Sequence, residues 1–502
     1  MKKLGVNKSF TILLFLSLIT IFLRLLTLME VSPGGDNIDY WYYGKAIINQ
    51  YQYGELFHRN IRWGILIPVT VFQMVFGTSV WVIYLIPITM AVLLNISIYK
   101  VGKKVFNQNT AYLTIIIVQI FPYMIRVGSQ LFLALFSMNY LLLSFYFLLK
   151  YLDKDITTKN QRINFTISVL LLFIAYETKI TNLYFLIPFL IIIYRKKSFI
   201  DVVKYSLILL GLYFIEHFLY FILAGYPLGR LQIIMSTHFG SQSMTLGEGV
   251  EFNGTFLGLF ERFSLKNFPI YWHLTLWGGL LSGFILKKIG KKNIYVTDII
   301  VVIISFTIIQ TLGVKSISPF IPFEDFIVRY FMPILPLAVL LISELILVLI
   351  PGLKRVNPVI LFSLPVIILV FTGLFYNKLP NGAKEYINNP IDIKNHNLVK
   401  TIRYEKELNE LIKSEPIACV ISNPNGKEDK RDSHRALDSV NRLFLKLEKG
   451  VGKYETSEVK DANGTIYKWI VTSNNSSFDP KNEYIRVYRM PFEYKLVNQG
   501  NI

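Results

Sequence analysis

Long apolar stretches recur along this chain and constrain its fold more than any other feature. Hydrophobic residues make up 53% of the 502 residues, whereas charged residues make up 17%, below the roughly 25% usual in soluble domains. Apart from 164–194, which is considered next, stretches able to cross about 30 Å of hydrocarbon lie near 10–29, 79–99, 109–126, 129–150, 203–223, 271–287, 295–312, 328–350 and 357–376.

The block 164–194 is too long for one span and contains Glu177 and Lys179. It is therefore predicted to form two short spans joined by a tight turn. Together with the other stretches it predicts a mostly α-helical, polytopic membrane protein with about eleven transmembrane helices. The first apolar run lacks a small-residue cleavage site, so we expect it to stay as the first span.

The segment 62–77 is apolar but short, and the charges around it decide its placement. Cytoplasmic loops of membrane proteins carry an excess of Lys and Arg. All the basic clusters fall on the cytoplasmic side only if 62–77 does not cross: Lys2, Lys3, Lys8, Lys100, Lys103, Lys104, Lys154, Lys159, Arg195, Lys196, Lys197, Lys287, Lys288, Lys291, Lys292, Lys354 and Arg355. The segment is therefore predicted to be an interfacial helix of a multi-pass cell-membrane protein with a cytoplasmic N-terminus.

This topology places the loops 30–78 and 224–270 and the C-terminal part outside the cytoplasm. The chain is predicted to divide into a membrane domain, 1–376, and a small extracytoplasmic α/β domain, 377–502. In the second domain, charged stretches at 395–414 and 431–449 predict helices. Stretches at 417–422, 465–472 and 484–489 predict strands.

Composition also excludes several classes of function. Cys419 is the only cysteine, so disulfide scaffolds, iron–sulfur clusters and cysteine zinc sites are excluded. The net charge of +19 lies mostly in loops between apolar runs, and no compact basic patch with interleaved aromatics is present. This pattern indicates membrane orientation rather than nucleic-acid binding.

The first outer loop contains the most informative group of polar residues. A turn at 32–35 precedes Asp36 and Asp39, which a helix would place on one face, beside an aromatic group that includes Tyr40 and Tyr43. The two carboxylates can deprotonate a hydroxyl or hold a cation. An acidic helix N-terminus next to an interfacial aromatic belt explains the same residues. Both interpretations remain open at this point.

Other polar residues are predicted to lie at the same depth on the outer face. Cations there suit a phosphate at the headgroup level, although snorkelling side chains account for some of them. The candidate phosphate ligands are Arg329, Lys179, Arg126 and Arg62, and the candidate substrate-binding residues are Tyr40, Tyr43, His58, Arg59, Glu177 and Tyr330. Glu216 and His217 lie inside a span, where they either serve function or brace helices as a pair.

In order along the chain, these features resemble the GT-C class of membrane glycosyltransferases, which includes protein O-mannosyltransferases and lipid A aminoarabinose transferases. The matching elements are Asp36-Asn-Ile-Asp39-Tyr40, the interfacial stretch 63–77, a Pro122-containing span followed by Ser129-Gln130, Thr178-Lys179 before Pro188, and Arg329-Tyr330-Phe-Met-Pro333. The resemblance covers the membrane part of the chain.

The resemblance implies that one sugar moves from a polyprenyl-phosphate carrier to a glycan, lipid or protein acceptor on the outer face. Asp36 or Asp39 matches the position of the general base that deprotonates the acceptor hydroxyl. Members of the class also carry a second acid after the position of Ser129-Gln130, but residues 131–137 contain no carboxylate. A divalent cation, Mg²⁺ or Mn²⁺, is compatible with the class, although this departure leaves its presence open.

Two other functions fit a polytopic membrane protein of this kind. One is a transporter or flippase of lipid-linked saccharide, and the other is a catalytically silent scaffold of an envelope-glycan complex. A flippase is expected to place ionisable groups along a transmembrane path. In this sequence they crowd one predicted face, which favours the enzyme.

Overall fold

The computed structural model describes residues 8–28, 61–153, 157–233, 268–289, 294–312 and 328–374. It also describes positions 37, 40–41, 43–44 and 47, and short strands between 314 and 322 and between 417 and 498. The described chain divides into two compact units. One consists of Met1–Thr27, Arg62–Ile65 and Pro87–Ile387, and the other of Leu28–Ile61, Leu66–Ile86 and Asn388–Ile502.

The described part of the chain is mostly α-helical. Its helices are α1 (Lys8–Leu26), α2 (Trp63–Phe76), α3 (Val80–Val105), α4 (Gln108–Ile120), α5 (Pro122–Gly128), α6 (Leu133–Tyr151), α7 (Thr158–Thr178), α8 (Leu186–Lys196), α9 (Phe199–Ala224), α10 (Ile270–Lys288), α11 (Ile294–Leu312), α12 (Leu335–Leu349) and α13 (Pro358–Leu374). Short 3₁₀ helices lie at Ile180–Phe185, Val328–Tyr330, Met332–Ile334 and Pro351–Arg355.

Six apolar segments within these helices are long enough to cross a membrane: Ser9–Leu26, Trp81–Val105, Leu133–Tyr151, Phe199–Ala224, Tyr295–Leu312 and Met332–Leu349. They confirm the mostly helical, multi-pass membrane protein predicted from the sequence. The remaining predicted spans coincide with helices that are shorter or more polar, so the total of eleven stays a prediction. Helix α2 has 14 residues, or about 21 Å, and its interfacial placement also stays a prediction.

Prolines and one extended residue break the predicted spans in three places. The stretch 109–126 is two helices, because Pro122 lacks a backbone N–H and follows Phe121 in an extended conformation (ψ 130°). The stretch 164–194 breaks at Lys179, which is extended (φ −158°, ψ 126°), as the predicted turn requires. In 328–350 the α-helix begins only at Leu335, after two 3₁₀ turns with Pro333 in the second.

Small side chains allow the helices of the first unit to pack closely. A Cβ added at Gly279 of α10 would lie 2.9 Å from the Cα atom of Ala338 in α12, so only glycine fits at this crossing. Helices α6 and α7 form an antiparallel pair, in which the Ser144 hydroxyl donates to the Ser168 carbonyl at 2.7 Å. Such hydroxyl contacts satisfy polar groups inside a bundle without an ion pair.

The C-terminal part contains a four-stranded sheet with the order β6-β3-β8-β7, formed by β6 (Val471–Thr472), β3 (Ile417–Asn423), β8 (Glu493–Asn498) and β7 (Ile485–Arg489). Strand β3 is parallel to β6 and antiparallel to β8. Two further antiparallel pairs join β1 (Val314–Ile317) to β2 (Phe320–Pro322) and β4 (Glu458–Lys460) to β5 (Ile466–Lys468).

Strands β3, β5, β6 and β7 coincide with the three strand-like stretches of the sequence, whereas β8 was not predicted. The predicted helices 395–414 and 431–449 lie outside the described residues. The mixed α/β character of this part, and its boundary at residue 377, therefore stay predictions.

Candidate functional site

The C-terminal end of α7 is held by an arginine from a distant part of the chain. Arg230 donates from Nη1 to the Glu177 carboxylate at 2.9 Å and from Nη2 to the Glu177 carbonyl oxygen at 3.1 Å. The last carbonyls of a helix have no intrahelical partner. Arg230 supplies one such partner and at the same time neutralises the adjacent side chain.

A second carboxylate makes this buried cluster unusual. The carboxylate of Glu216, from α9, lies 3.9 Å from Arg230 Nη1, and the guanidinium is stacked on the Tyr176 ring at 4.8 Å. Burial lowers the pKa of the Arg230 guanidinium, but attraction to Glu177 and Glu216 outweighs that effect, so this pKa lies above its ordinary value. Arg230 therefore stays charged between the two acids.

The sequence left open a pairing between Glu216 and His217, and the structure gives these neighbours different contacts. The Nδ1 atom of His217 lies 3.1 Å from the carbonyl oxygen of Tyr213 in the preceding turn. Its ring also packs under Gly229, where an added Cβ would lie 2.8 Å from the imidazole. Adjacent positions on a helix point in different directions, so Glu216 reaches Arg230 while His217 packs against the loop.

The beginning of α2 meets the same end of α7. A Cβ added at Gly64 would lie 2.6 Å from the Ile174 carbonyl and would also clash with Thr178, so the two backbones touch at this point. The Trp63 indole donates to the Tyr220 hydroxyl at 2.7 Å, which fixes the start of α2 against α9. Arg62 directly precedes this helix.

Two cations share the ring of Tyr330. The Lys179 ammonium lies 3.2 Å from the ring centroid, and the Arg329 guanidinium lies 5.4 Å from it. An aromatic face attracts a cation electrostatically within about 6 Å. The turn after α7 and the 3₁₀ turn before α12 therefore place two positive charges around one aromatic ring.

In the loop between α1 and α2 the structure describes only some of the predicted residues. Tyr40 and Tyr43 are helical and buried, and the Trp41 carbonyl accepts a hydrogen bond of 2.8 Å from the Gln73 side chain. A Cβ added at Gly44 would lie 2.7 Å from Val69, so this loop packs tightly on α2. Asp36 and Asp39 lie outside the described residues, so both interpretations of this loop stay open.

The structure thus brings together Lys179, Arg329 and Tyr330, whereas the Glu177 carboxylate contacts Arg230. The predicted catalytic residues Asp36 and Asp39, together with His58 and Arg59, lie outside the described residues. Arg126 lies in α5, and its side chain is outside the described part. The roles assigned to all of these residues stay predictions.

Residues 67–221 match the family model of the dolichyl-phosphate-mannose-protein mannosyltransferases. The predicted resemblance to GT-C glycosyltransferases is confirmed. The matched segment includes α3 to α9 and Lys179, but not Arg329. None of the proteins of curated function matches the chain at a significant level.

Solved structures of two membrane proteins are similar to this chain. ArnT from Cupriavidus metallidurans, bound to undecaprenyl phosphate, is 11% identical with a TM-score of 0.48, and the match covers 88% of this chain and 76% of that one. The oligosaccharyltransferase of Archaeoglobus fulgidus in its apo form is 12% identical with a TM-score of 0.45, and the match covers 79% of this chain and 61% of that one.

Among the described residues, no group of three His, Cys, Asp or Glu side chains lies close enough together to hold a metal ion. The described carboxylates of the site, Glu177 and Glu216, face the Arg230 guanidinium. A divalent cation, Mg²⁺ or Mn²⁺, stays a prediction of the GT-C resemblance.

Arg230 is the residue of this site that the sequence did not reveal. It lies 53 positions from Glu177, in the segment after α9 that was predicted to be an outer loop, where an isolated arginine is unremarkable. The signal that could have found it is the pair Gly225 and Gly229, both with positive φ. Two such glycines predict a tight reversal after α9, which would direct the next residues back towards the ends of the spans.

Proposed function

We propose that the protein transfers one sugar from a polyprenyl-phosphate carrier to a glycan, lipid or protein acceptor on the outer face of the membrane. The observation that carries the proposal is the pair of cations, Lys179 and Arg329, on the Tyr330 ring at the junction of several helix ends. The mannosyltransferase family match of residues 67–221 supports the reaction class. The sugar-carrying lipid would present its phosphate at this depth.

The chemistry assigns a purpose to these cations. The acceptor hydroxyl attacks the anomeric carbon, the bond from that carbon to the phosphate oxygen breaks, and the polyprenyl phosphate leaves. Negative charge accumulates on the departing phosphate as this bond breaks. Lys179 and Arg329, fixed on the ring before the reaction, stabilise that charge without reorganising. Arg62 and Arg126 are proposed to complete the phosphate site.

The acceptor side is assigned to the first outer loop. We propose that Asp36 or Asp39 accepts the proton of the acceptor hydroxyl, as a general base must when a poor nucleophile attacks. Tyr40, Tyr43, His58 and Arg59 are proposed to orient acceptor and sugar. Glu177 and Tyr330 are proposed to contact the donor sugar.

The proposal requires one orientation in the membrane, with a cytoplasmic N-terminus and an extracytoplasmic C-terminal part. The basic clusters support it, because they fall on one side when α2 lies in the interface. Reporter fusions near Asn60 and after Asn377 should both give an extracytoplasmic signal. A cytoplasmic signal at either position would contradict the topology and the site built on it.

The catalytic proposal is tested by sugar transfer in membranes that contain Asp36→Asn or Asp39→Asn. Asn keeps the size of the side chain and removes its charge, so insertion should survive. Loss of a general base reduces the rate by about 10²–10⁴-fold, and we expect this loss in one of the two variants, Asp36 being the preferred candidate. Asp153→Asn is the matched control, because Asp153 pairs with Lys104 away from this site.

Wild-type transfer by both loop variants, at equal protein level, would overturn the catalytic assignment. Translocation of the lipid-linked sugar without transfer by the wild-type protein would instead support the flippase. Mass spectrometry of envelope glycans from a deletion strain would identify the transferred sugar and its acceptor.

A further inference from the structure

We infer that Arg230 is a positioning residue for the donor-phosphate site, acting through the turn that carries Lys179. This inference rests on the proposed function and adds a residue that does not itself contact the donor. Arg230 donates a hydrogen bond to the Glu177 carbonyl in the last turn of α7, and Lys179 is the residue at which that helix ends.

The geometry of the two hydrogen bonds from Arg230 explains why an arginine is needed at this position. One nitrogen of the guanidinium binds the Glu177 side chain and the other binds the Glu177 carbonyl. A guanidinium has donors in a planar fork, whereas a lysine ammonium is a single point charge. Only the fork can neutralise the carboxylate and cap the helix in one fixed arrangement.

A second carboxylate helps to hold Arg230 in place. Glu216 approaches the same guanidinium from α9, and both glutamates and the arginine are buried. Buried charges of this kind are retained only when they are compensated. The segment after α9 is therefore tied to the end of α7 and to Glu216 in α9 through one arginine.

The turn that follows α7 is held by the hydrogen bonds of a second residue, Asn182. The Asn182 amide donates to the Ala175 carbonyl at 2.7 Å and to the Ser137 hydroxyl at 2.8 Å. Lys179 has an extended conformation and lies between Glu177, the residue bound by Arg230, and Asn182. Its ammonium reaches the Tyr330 ring. Weakening the hydrogen bonds from Arg230 to Glu177 should move the Lys179 ammonium while the rest of the bundle remains intact.

The experiment compares Arg230→Lys, Lys179→Gln and the double variant, with Arg195→Gln as the control. Arg195 is 41% exposed and lies near Asp298, at the far end of α8 from the Lys179 turn. Each protein is purified, its thermal unfolding is measured, and kcat and KM are determined with a polyprenyl-phosphate sugar as donor. Binding of polyprenyl phosphate alone is measured in parallel.

We expect Arg230→Lys to raise KM for the donor and to weaken binding of polyprenyl phosphate by about 10-fold, because a charge-assisted contact is misplaced. The kcat value should fall as well, because the displaced Lys179 ammonium would stabilise the charge on the leaving phosphate less. If Arg230 acts through Lys179, the double variant should bind the donor no more weakly than Lys179→Gln alone, since coupled residues are not additive.

Each alternative outcome has a distinct meaning. Unchanged donor KM in Lys179→Gln would overturn the donor-phosphate site, and with it the inference that depends on that site. A raised KM in Lys179→Gln with an unchanged KM in Arg230→Lys would overturn the positioning role alone. Fully additive losses in the double variant, or equal losses in Arg195→Gln, would reduce Arg230 to a general structural role.

Discussion

Two fully buried arginines lie in different regions of the described chain and have opposite surroundings. Arg230 is enclosed by Glu177, Glu216 and the Tyr176 ring. Arg24, in the last turn of α1, donates to the carbonyl and the side-chain oxygen of Gln119. Its described contacts are thus neutral, whereas those of Arg230 include two carboxylates.

The region around Arg24 is a network of amides and small residues. Its guanidinium packs on Gly128, where an added Cβ would lie 2.7 Å from the guanidinium carbon. Gln119 donates in turn to Asn95 at 2.7 Å, and Asn95 donates to Thr20 at 2.9 Å. These amides form hydrogen bonds between helices, and the network contains no carboxylate opposite Arg24 among the described residues.

The comparison separates two uses of a buried cation. In one, removing the arginine leaves two buried acids without compensation. In the other, removal leaves two uncharged oxygens of Gln119 that have lost a donor. Leaving buried charges without their partner is more damaging than leaving uncharged acceptors without a donor. Stability measurements on matched variants should therefore distinguish the two regions.

The largest effect is expected from Arg230→Ala. The free energy of unfolding should fall by about 3–5 kcal/mol, because Glu177 and Glu216 would remain buried without their cation. Chemical unfolding of the purified protein in detergent measures this change. Adding Glu177→Gln to the same variant should restore part of the loss, and a loss below about 1 kcal/mol for Arg230→Ala would contradict the charge-balance account.

A smaller effect is expected at the backbone contact beside that cluster. Gly64→Ala should lower the free energy of unfolding by about 1–3 kcal/mol, because the new methyl group would meet Thr178 and the Ile174 carbonyl. The matched control is Gly211→Ala in α9, where an added Cβ has no neighbour within 4 Å. If both variants are equally stable, the start of α2 does not pack on α7 as described.

The smallest effect is expected at Arg24. Arg24→Met should lower the free energy of unfolding by about 1 kcal/mol, since Gln119 would lose one donor and no described carboxylate would lose its partner. The same unfolding measurement applies. A loss as large as that of Arg230→Ala would break the comparison and indicate an anionic partner for Arg24 outside the described residues.

The sequence predicted the features that depend on local pattern. Hydrophobic length predicted the spans, and the charged pair Glu177 and Lys179 predicted the break between two of them, because charges are costly inside a bilayer. These signals act within a few residues and can be read without a fold. Arg329-Tyr330 was predicted to begin a span, but the structure has 3₁₀ turns there and the α-helix begins only at Leu335.

The remaining features depend on contacts between distant segments. The pairing of Arg230 with Glu177, the glycine contact of Gly64 with α7, and the sharing of Tyr330 by Lys179 and Arg329 each join parts of the chain far apart in sequence. Residue spacing cannot specify them, because many arginines and glycines in loops are equally compatible with solvent or lipid. The break at Phe121-Pro122 was missed for another reason. The stretch 109–126 is apolar throughout its middle, so it was predicted as one span in spite of its proline.

The central claim is that the cations at Tyr330 bind the phosphate of a lipid-linked sugar. The most direct measurement is KM for a polyprenyl-phosphate sugar in Arg329→Gln, beside the Arg195→Gln control. Charge-assisted contacts contribute about 1.5–3 kcal/mol each, so KM should rise by about 10- to 150-fold in the first variant while the control stays at the wild-type value. A KM within about twofold of wild type in Arg329→Gln, with the protein folded, would contradict the account and leave Arg329 as a membrane anchor.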